Sequence, residues 1–250
     1  MVLIEINWKG VRLGMALKPI QTSYNGYLFR SRLEARWAVF FDELGIVYKY
    51  EDEGFDLDGN YYLPDFYLPE LDIFIEIKPD FASEHEEYLA AKLAEISKKR
   101  VFIFMGNIPN PSPVTAEQLL NYQSELTNKN YESYLSQINK YTDIFGYVYT
   151  DKITRHYGFR WAHCQQCGTI SLVYKLGTDV LSEVGEFITY DNWEYRDTDV
   201  LMCECRDFSS VSNILISGFT KARSARFEHG ADPRKPLHAH LTKRKKIKLG

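Results

Sequence analysis

The stretch YYLPDFYL at residues 61–68, followed by LDIFIEIK at residues 71–78, has the alternating polarity of two β-strands joined as a hairpin. Because successive side chains of a strand point to opposite faces, Glu76 and Lys78 share one face of the second strand. The other face is an apolar stripe that must point into a core, formed by Leu71, Ile73, Ile75 and Ile77. We therefore predict that Glu76 and Lys78 lie on the opposite, polar surface of the hairpin.

Asp65 on the first strand would bring a second carboxylate to the same place. Two carboxylates held close together repel each other unless a cation lies between them, and a hard divalent ion with oxygen ligands is the usual solution. A lysine beside such an ion can polarise a water molecule or stabilise charge on a phosphate. Asp65, Glu76 and Lys78 thus indicate metal-assisted hydrolysis of a phosphodiester. The alternative is that Asp65 makes a turn after Pro64 and that Glu76 and Lys78 are ordinary solvated residues.

A helix is predicted upstream, at residues 26–44, because apolar residues recur there at helical spacing and Gly45 follows them. Glu34 falls at the edge of the apolar stripe, where an unpaired carboxylate is costly to bury. Two interpretations of Glu34 stay open. It forms an ion pair with Arg30 within the helix, or it is a third acid that leans toward the two carboxylates of the hairpin.

The elements after this helix predict an α/β fold. Residues 46–50 (IVYKY) alternate as a strand, the hairpin follows, and residues 83–86 (SEHE) have the form of a capping box at the start of a second helix. Residues 101–105 (VFIFM) are a short apolar run of the kind that forms a buried strand. The predicted order is helix, three strands, helix and strand.

Over residues 24–107 the chain resembles nucleases of the PD-(D/E)XK, or restriction-endonuclease-like, superfamily. Pro64 and Asp65 match the PD motif, residues 76–78 (EIK) match the second motif, and Glu34 lies in a stretch (RSRLEARW) similar to the acidic first helix of many members. The resemblance is closest to small nucleases of phages and mobile elements. It implies a core of α-β-β-β-α-β order, with a mixed sheet flanked by helices.

The resemblance also implies a mechanism and a cofactor. Mg²⁺, or Mn²⁺ in its place, would be bound by the carboxylates of Asp65 and Glu76 and by the backbone carbonyl of Ile77. Lys78 would position or activate the attacking water, and Glu34 would bind or orient the metal shell. The expected activity is that of a Mg²⁺-dependent endodeoxyribonuclease with Glu34, Asp65, Glu76 and Lys78 as catalytic residues. One metal ion and two metal ions are both compatible with these residues.

All four cysteines lie in the second half of the chain, as a C-x-x-C pair and a C-x-C pair at Cys164, Cys167, Cys203 and Cys205. Four thiolates at these spacings match a closed tetrahedral site, which predicts a structural Zn²⁺ in a small zinc-ribbon-like C-terminal module. The competing interpretation is two disulfides or free thiols. Nothing at the N-terminus resembles a secretory signal, so we expect a cytoplasmic protein, in which thiols stay reduced.

The formal charge of −4 is unevenly distributed along the chain. Residues 231–250 contain seven basic residues and one acidic residue, which predicts either a solubilising tail or an arm that contacts the DNA backbone. The residues of this arm predicted to bind nucleic acid are Lys243, Arg244, Lys245 and Lys246. Arg30 and Arg32, predicted on the first turn of the first helix, are further candidates for holding phosphate, with ordinary solvated arginines as the alternative.

Four regions are predicted along the chain. A nuclease-like domain occupies residues 1–108, and a turn-rich break (IPNPSP) leads into a linker or irregular segment at 109–155. A zinc-binding module with a C-terminal helix follows at 156–230. The basic tail occupies 231–250.

DNA is the expected partner, with a homodimer or a partner protein as options for the assembly. No apolar run is long enough to cross a bilayer and no glycine-rich loop could cradle a phosphate, so we expect neither a membrane contact nor a nucleotide cofactor. Two rival functions stay open. One is a catalytically silent DNA- or protein-binding adaptor on a nuclease fold, and the other is an RNase or a subunit of a larger defence or transposition complex.

Overall fold

A computed structural model of the chain describes residues 19–110, 143–152, 154–174, 200–205, 207–209 and 212–227. Within these residues the helices are α1 (Arg32–Leu44), α2 (Glu84–Ser97) and α3 (Asn213–Ser224). The strands are β1 (Thr22–Tyr24), β2 (Tyr27–Phe29), β3 (Lys49–Tyr50), β4 (Phe55–Leu57), β5 (Asn60–Tyr62), β6 (Phe66–Leu68), β7 (Ile73–Lys78), β8 (Arg100–Met105), β9 (Asp143–Tyr149), β10 (Thr154–Cys164), β11 (Ile170–Tyr174) and β12 (Phe208–Ser209). None of the helices in this described part is long and apolar enough to span a membrane.

Eight of the strands form one sheet, which makes the fold α/β. Seven of them follow the order β11-β10-β9-β8-β7-β6-β3, and β12 pairs with β10. β7 and β8 run parallel, while the other neighbours are antiparallel. The sheet is therefore mixed, as predicted. β1 with β2 and β4 with β5 form two separate pairs.

The predicted hairpin exists, but its first strand is shorter than predicted. β6 pairs with β7 in the register Phe66↔Ile75, whereas residues 61–62 belong to β5 and pair with β4. Pro64 lies between β5 and β6. Because proline has no N–H to donate to a sheet ladder, it interrupts the pairing. The prediction of one continuous strand over residues 61–68 is wrong for this reason.

α2 connects the parallel strands β7 and β8, and it begins with the predicted capping box. Ser83 Oγ accepts a hydrogen bond from the N–H of Glu86 at 3.3 Å, and the Glu86 carboxylate accepts one from the N–H of Ser83 at 2.8 Å. These bonds satisfy backbone donors that the first turn of a helix leaves free. Two parallel neighbours need a crossover of this kind, and it packs on one face of the sheet.

Both faces of β7 are consequently buried. Ile75 and its apolar neighbours point into the cluster that includes α1, as predicted for the apolar stripe. Phe74 points the other way, into a cluster with Leu89 of α2. Glu76 is 5% exposed, so the alternative that it is an ordinary solvated residue is wrong.

α1 is shorter than the helix predicted at residues 26–44. It begins after Ser31, whose Oγ accepts a hydrogen bond from the N–H of Glu34 at 3.2 Å, and Gly45 closes it with a φ of 67°. The residues before Ser31 form β2, which pairs with β1. The helix buries an aromatic face that includes Trp37 and Phe41.

The order of elements around the hairpin agrees with the prediction. β3 covers two residues of the predicted segment 46–50, and β8 covers the predicted segment 101–105 with one residue added. The β4–β5 pair is an insertion that the sequence pattern did not indicate. With that pair set aside, α1, β3, β6, β7, α2 and β8 follow the predicted order of helix, three strands, helix and strand.

The sheet continues beyond residue 108, where a linker is predicted. β9 pairs with β8, and β10 pairs with β9. Most of the segment 109–155 lies outside the described residues, but its end forms β9 and the first residues of β10. The predicted boundary at residue 108 therefore does not coincide with an edge of the sheet.

α3 is the helix predicted ahead of the basic tail, and it packs on α1. The rings of Phe219 and Phe40 stack with 4.4 Å between their centroids, and Lys221 forms an ion pair with Glu43. Arg223 Nη1 donates a hydrogen bond to the carbonyl of Ile108 at 2.7 Å. These contacts attach α3 both to α1 and to the segment that follows β8.

Candidate functional site

Asp65 and Glu76 lie next to each other where β6 and β7 meet. Asp65 Oδ2 accepts a hydrogen bond from the N–H of Ile77 at 2.7 Å. The register of β6 and β7, continued by one residue, sets Asp65 opposite Glu76. Asp65 is 2% exposed and Glu76 is 5% exposed. The structure thus brings the two predicted metal-binding carboxylates to one buried edge of the hairpin.

The backbone carbonyl of Ile77 faces the same side of β7 as Asp65, and Pro64 cannot donate a hydrogen bond to it. The N–H and C=O of a strand residue point to the same side, so the Ile77 carbonyl faces the edge on which its N–H meets Asp65. Continued by two residues, the register would set Pro64 opposite Ile77. Proline has no N–H and cannot donate to that carbonyl as an ordinary ladder partner would. The oxygen predicted as the third metal ligand therefore faces the side of β7 on which Asp65 lies.

Glu34 is held by groups around the N-terminus of α1. Its Oε1 accepts a hydrogen bond from the Ser31 hydroxyl at 2.6 Å, and its Oε2 accepts one from the Tyr50 hydroxyl at 2.5 Å. The backbone N–H of Arg30 donates to the same Oε2 at 3.1 Å. The ion pair within the helix that we considered for Glu34 and Arg30 is absent, because Arg30 precedes the helix and meets Glu34 through its backbone.

The buried carboxylates influence one another through their charges. Burial raises the pKa of Asp65 well above its usual range, and the negative charges of Glu76 and Glu34 raise it further. A backbone N–H and the Arg30 guanidinium oppose this shift. Burial also raises the pKa of Glu51, again with Glu34 and Glu76 contributing and Arg30 opposing. Such a group of acids requires positive charge nearby.

Arg30 supplies part of that positive charge. Its Nη2 lies 2.5 Å from Asp65 Oδ1, and its Nε lies 2.6 Å from Glu51 Oε1. The prediction that Arg30 lies on the first turn of the helix is wrong, since it precedes the N-cap residue Ser31. Arg32 is the first residue of α1, as predicted for the first turn.

Lys78 supplies a second positive charge. Its Nζ lies 2.9 Å from Glu76 Oε1 and 2.5 Å from Glu86 Oε1. Glu86 is the capping-box residue of α2, so the ammonium group is tied to the start of that helix. The Tyr62 hydroxyl donates a hydrogen bond to Glu76 Oε2 at 3.1 Å. Burial alone would lower the pKa of Lys78, but the two carboxylates raise it, which keeps Lys78 protonated at neutral pH.

Sequence reasoning missed four residues that surround this site, namely Tyr50, Glu51, Tyr62 and Glu86. Tyr50 ends β3 and Glu51 follows it, and the pairing of β3 with β6 brings both toward Asp65. Glu86 was recognised only as part of a capping box. Its contact with Lys78 depends on how α2 crosses the sheet, which no local pattern reveals.

The three acids are not gathered around one point. Among the residues that the structure describes, one group of three or more His, Cys, Asp or Glu side chains lies close enough to hold an ion, and that group is the four cysteines. Glu34 is engaged by hydroxyl groups, and Arg30 occupies one oxygen of Asp65. The donors that fit a hard divalent ion are the carboxylates of Asp65 and Glu76 and the carbonyl of Ile77.

The cysteine cluster can bind a structural metal ion such as zinc. Its members are Cys164, Cys167, Cys203 and Cys205, whose sulfur atoms all lie within 4.8 Å of one another and whose thiols are free. Zn–S bonds of about 2.3 Å in a tetrahedron place the sulfur atoms about 3.8 Å apart, so the cluster needs little closure to fit zinc.

The first two cysteines are placed by a tight turn at the end of β10. The N–H of Gly168 donates to the carbonyl of Cys164 at 2.9 Å, and the N–H of Cys164 donates to the carbonyl of Thr169 at 2.8 Å. Gly168 has a φ of 78°, which favours glycine at this position. The C-x-x-C-G spacing therefore matches a tight turn that is closed by backbone hydrogen bonds and has glycine at the position of positive φ.

The predicted DNA-binding residues of the tail, Lys243, Arg244, Lys245 and Lys246, lie outside the described residues. The candidate site consequently consists of four interacting carboxylates, called the acid cluster from here on, together with Arg30 and Lys78; the carboxylates are those of Glu34, Glu51, Asp65 and Glu76. The cysteine cluster is a separate feature at the C-terminal end of β10.

We expect Asp65→Asn to raise the Tm of the metal-free protein at neutral pH. Burial and the neighbouring carboxylates raise the pKa of Asp65, so its ionised form destabilises the folded state. The amide keeps the acceptor for the Ile77 N–H and removes the charge, and the half-exposed Arg30 guanidinium, which loses its acceptor on Asp65, keeps its contact with Glu51. The penalty is absent below the unfolded pKa of about 3.9 and grows as pH rises above it, so wild type and variant should converge near pH 4. Thermal melts in EDTA across pH 4–8 measure this.

The matched control for that prediction is Asp72→Asn. Asp72 accepts a hydrogen bond from Lys99, which lowers its pKa, so its loss should leave the Tm unchanged or lower it. An Asp65→Asn protein less stable than wild type in EDTA would show that the acid cluster does not strain the fold.

Comparisons with family models, with curated proteins and with solved structures find no match for this chain. The resemblance to PD-(D/E)XK nucleases therefore rests on the motif residues and on the order of elements.

Proposed function

We propose that the chain is a Mg²⁺-dependent nuclease that hydrolyses DNA phosphodiester bonds on a restriction-endonuclease-like core. The observation that carries the proposal is the buried pair of Asp65 and Glu76 beside the Lys78 ammonium. Two buried carboxylates at one strand edge weaken the fold through repulsion and desolvation. A bound divalent ion removes that penalty, which favours a functional reason for the pair.

The carboxylates of Asp65 and Glu76 and the carbonyl of Ile77 would hold Mg²⁺, or Mn²⁺ in its place. When bound, the ion supplies positive charge that neutralises a phosphate and polarises its oxygen atoms. Hydrogen bonds within the chain hold the two carboxylates in place. The Ile77 N–H orients Asp65 and the Tyr62 hydroxyl orients Glu76, so both carboxylates are positioned before an ion arrives.

Lys78 acts in this proposal as an ammonium that donates hydrogen bonds to the attacking water or to the scissile phosphate. Glu76 and Glu86 contact its Nζ, and Lys78 is partly open to solvent. Glu34, fixed by Ser31 and Tyr50, adds negative charge that favours a cation at Asp65.

We also propose that the ion at the cysteine cluster is Zn²⁺ and that its role is structural. Four sulfur ligands leave no open position for a substrate. The ion would join residues 203–205 to the turn after β10, where β12 also pairs with β10. DNA as the substrate rests on the resemblance and on the basic tail.

Incubation with supercoiled plasmid and with labelled RNA, each in Mg²⁺ and in EDTA, tests the proposed activity. We expect nicking or linearisation of the plasmid in Mg²⁺ alone. Cleavage of RNA without cleavage of DNA would favour the RNase alternative. DNA binding without cleavage in Mg²⁺ and in Mn²⁺ would favour the silent adaptor.

A further inference from the structure

The positive charge nearest to Asp65 belongs to an arginine that bridges two carboxylates. The Arg30 guanidinium contacts Asp65 Oδ1 with one nitrogen and Glu51 Oε1 with another. The other oxygen of Asp65 accepts the backbone N–H of Ile77. Oδ1 is therefore the Asp65 oxygen that we expect to bind a metal ion. The Arg30 guanidinium contacts that same oxygen.

The two partners of this ion pair differ greatly in exposure. The Arg30 side chain is 51% exposed, whereas that of Asp65 is 2% exposed. A half-exposed guanidinium can be rehydrated when it leaves the pair, because much of it already faces water. A carboxylate buried beside other carboxylates cannot move out, and it is destabilised if its counter-charge leaves without a replacement.

Lys78 does not share this freedom. Its ammonium group is held by Glu86 as well as by Glu76, and Glu86 is part of the capping box of α2. Lys78 can therefore remain in place when an ion binds at Glu76. Of the two cations described at the acid cluster, Arg30 is the one placed to leave.

We propose that Arg30 occupies the cation position at Asp65 in the metal-free protein and is exchanged for the divalent ion when that ion binds. The inference rests on the proposed function, since it takes Asp65 as a ligand of the ion. Glu51 keeps a contact with the Nε of Arg30, so the released guanidinium stays at the rim of the site.

Exchange of two cations at one carboxylate makes them competitors. Two positive charges at hydrogen-bond distance from the same oxygen repel each other, so binding of the ion must include the cost of displacing Arg30. Removing the arginine removes that cost. It also leaves the acid cluster uncompensated when no ion is bound. A variant without Arg30 should accordingly bind the ion more tightly and depend on it more for stability.

The test is calorimetric titration with Mn²⁺ in the absence of DNA, together with thermal melts in EDTA and in excess Mn²⁺. The proteins are wild type, Arg30→Met, Arg30→Lys, Asp65→Asn and Lys49→Met. Lys49 pairs with Asp52 and lies close to Glu51 in the chain, so its variant controls for the loss of one positive charge. Arg30→Lys retains the charge and tests the inference if Arg30→Met does not fold.

We expect Arg30→Met to bind Mn²⁺ at least about tenfold more tightly than wild type, Arg30→Lys to lie between them, and Lys49→Met to resemble wild type. The Tm of Arg30→Met should be lower than that of wild type in EDTA. Excess Mn²⁺ should raise the Tm of Arg30→Met by more than it raises the Tm of wild type. One outcome would overturn this inference but not the proposed function. In that outcome Asp65→Asn abolishes Mn²⁺ binding, while the Arg30 variants bind Mn²⁺ as wild type does or more weakly. Absence of Asp65-dependent binding in every protein would overturn the proposed function as well.

Discussion

Glu76→Gln, Lys78→Met and Asp65→Asn are each expected to lower the rate of Mg²⁺-dependent DNA cleavage by roughly 10²–10³-fold or more while leaving the protein folded. Each variant keeps the size of the side chain and removes one charge. The two acid variants remove a proposed ligand of the ion, and the lysine variant removes the hydrogen-bond donor proposed to stabilise the developing charge. Initial rates of plasmid cleavage measure the effect, with circular dichroism as the check on folding.

Matched controls for these variants lie on the same hairpin and its neighbour. Asp72→Asn removes a carboxylate between β6 and β7, and Lys99→Met removes its partner lysine. Both residues lie away from the acid cluster, so both variants should cleave at the wild-type rate. If all three site variants keep wild-type rates, the hydrolytic centre is not at Asp65 and Glu76.

The other large effect is expected at the cysteine cluster. Cys164→Ser should lower the yield of folded protein and the Tm, because structural zinc sites contribute on the order of 10 kcal/mol of apparent binding free energy to folding. Cys164 is buried at the end of β10, where its loss opens the site and leaves a polar hydroxyl in its place. Metal content by mass spectrometry should fall from one zinc per chain to near zero.

Gln166→Ala is the control for that experiment. Gln166 lies in the same turn and is exposed, so its truncation should change neither zinc content nor stability. A Cys164→Ser protein that is obtained in full yield, melts at the wild-type Tm and contains no zinc would contradict a structural role for the ion.

Local patterns predicted the elements that depend on local forces. Residues 73–78 form a strand because an apolar stripe alternates with polar residues, and Ser83 caps α2 as its spacing to Glu86 indicates. The start of α1 was also readable, since residues 31–34 (SRLE) have the same S-x-x-E form. The apolar residues at helical spacing extend N-terminal to this signal, so the helix predicted at residues 26–44 begins earlier than α1 does.

Features that depend on how distant elements pack were not predictable from these patterns. The β4–β5 pair, the addition of β9 and β10 to the sheet and the burial of Glu76 all follow from tertiary contacts. Asp65, Glu76 and Lys78 could be predicted as neighbours because strand alternation and pairing place them there. Their partners Arg30, Glu51 and Glu86 could not be predicted in this way. Each of these contacts joins two elements whose relative position depends on tertiary packing.

An anomalous difference map from crystals of the wild-type protein soaked in Mn²⁺ tests directly whether Asp65 and Glu76 bind a common metal ion. We expect a peak at coordination distance from the carboxylates of Asp65 and Glu76 and from the carbonyl of Ile77, with the guanidinium of Arg30 moved away from Asp65. Crystals that contain Mn²⁺ at a concentration supporting cleavage, but show no peak between Asp65 and Glu76, would contradict it.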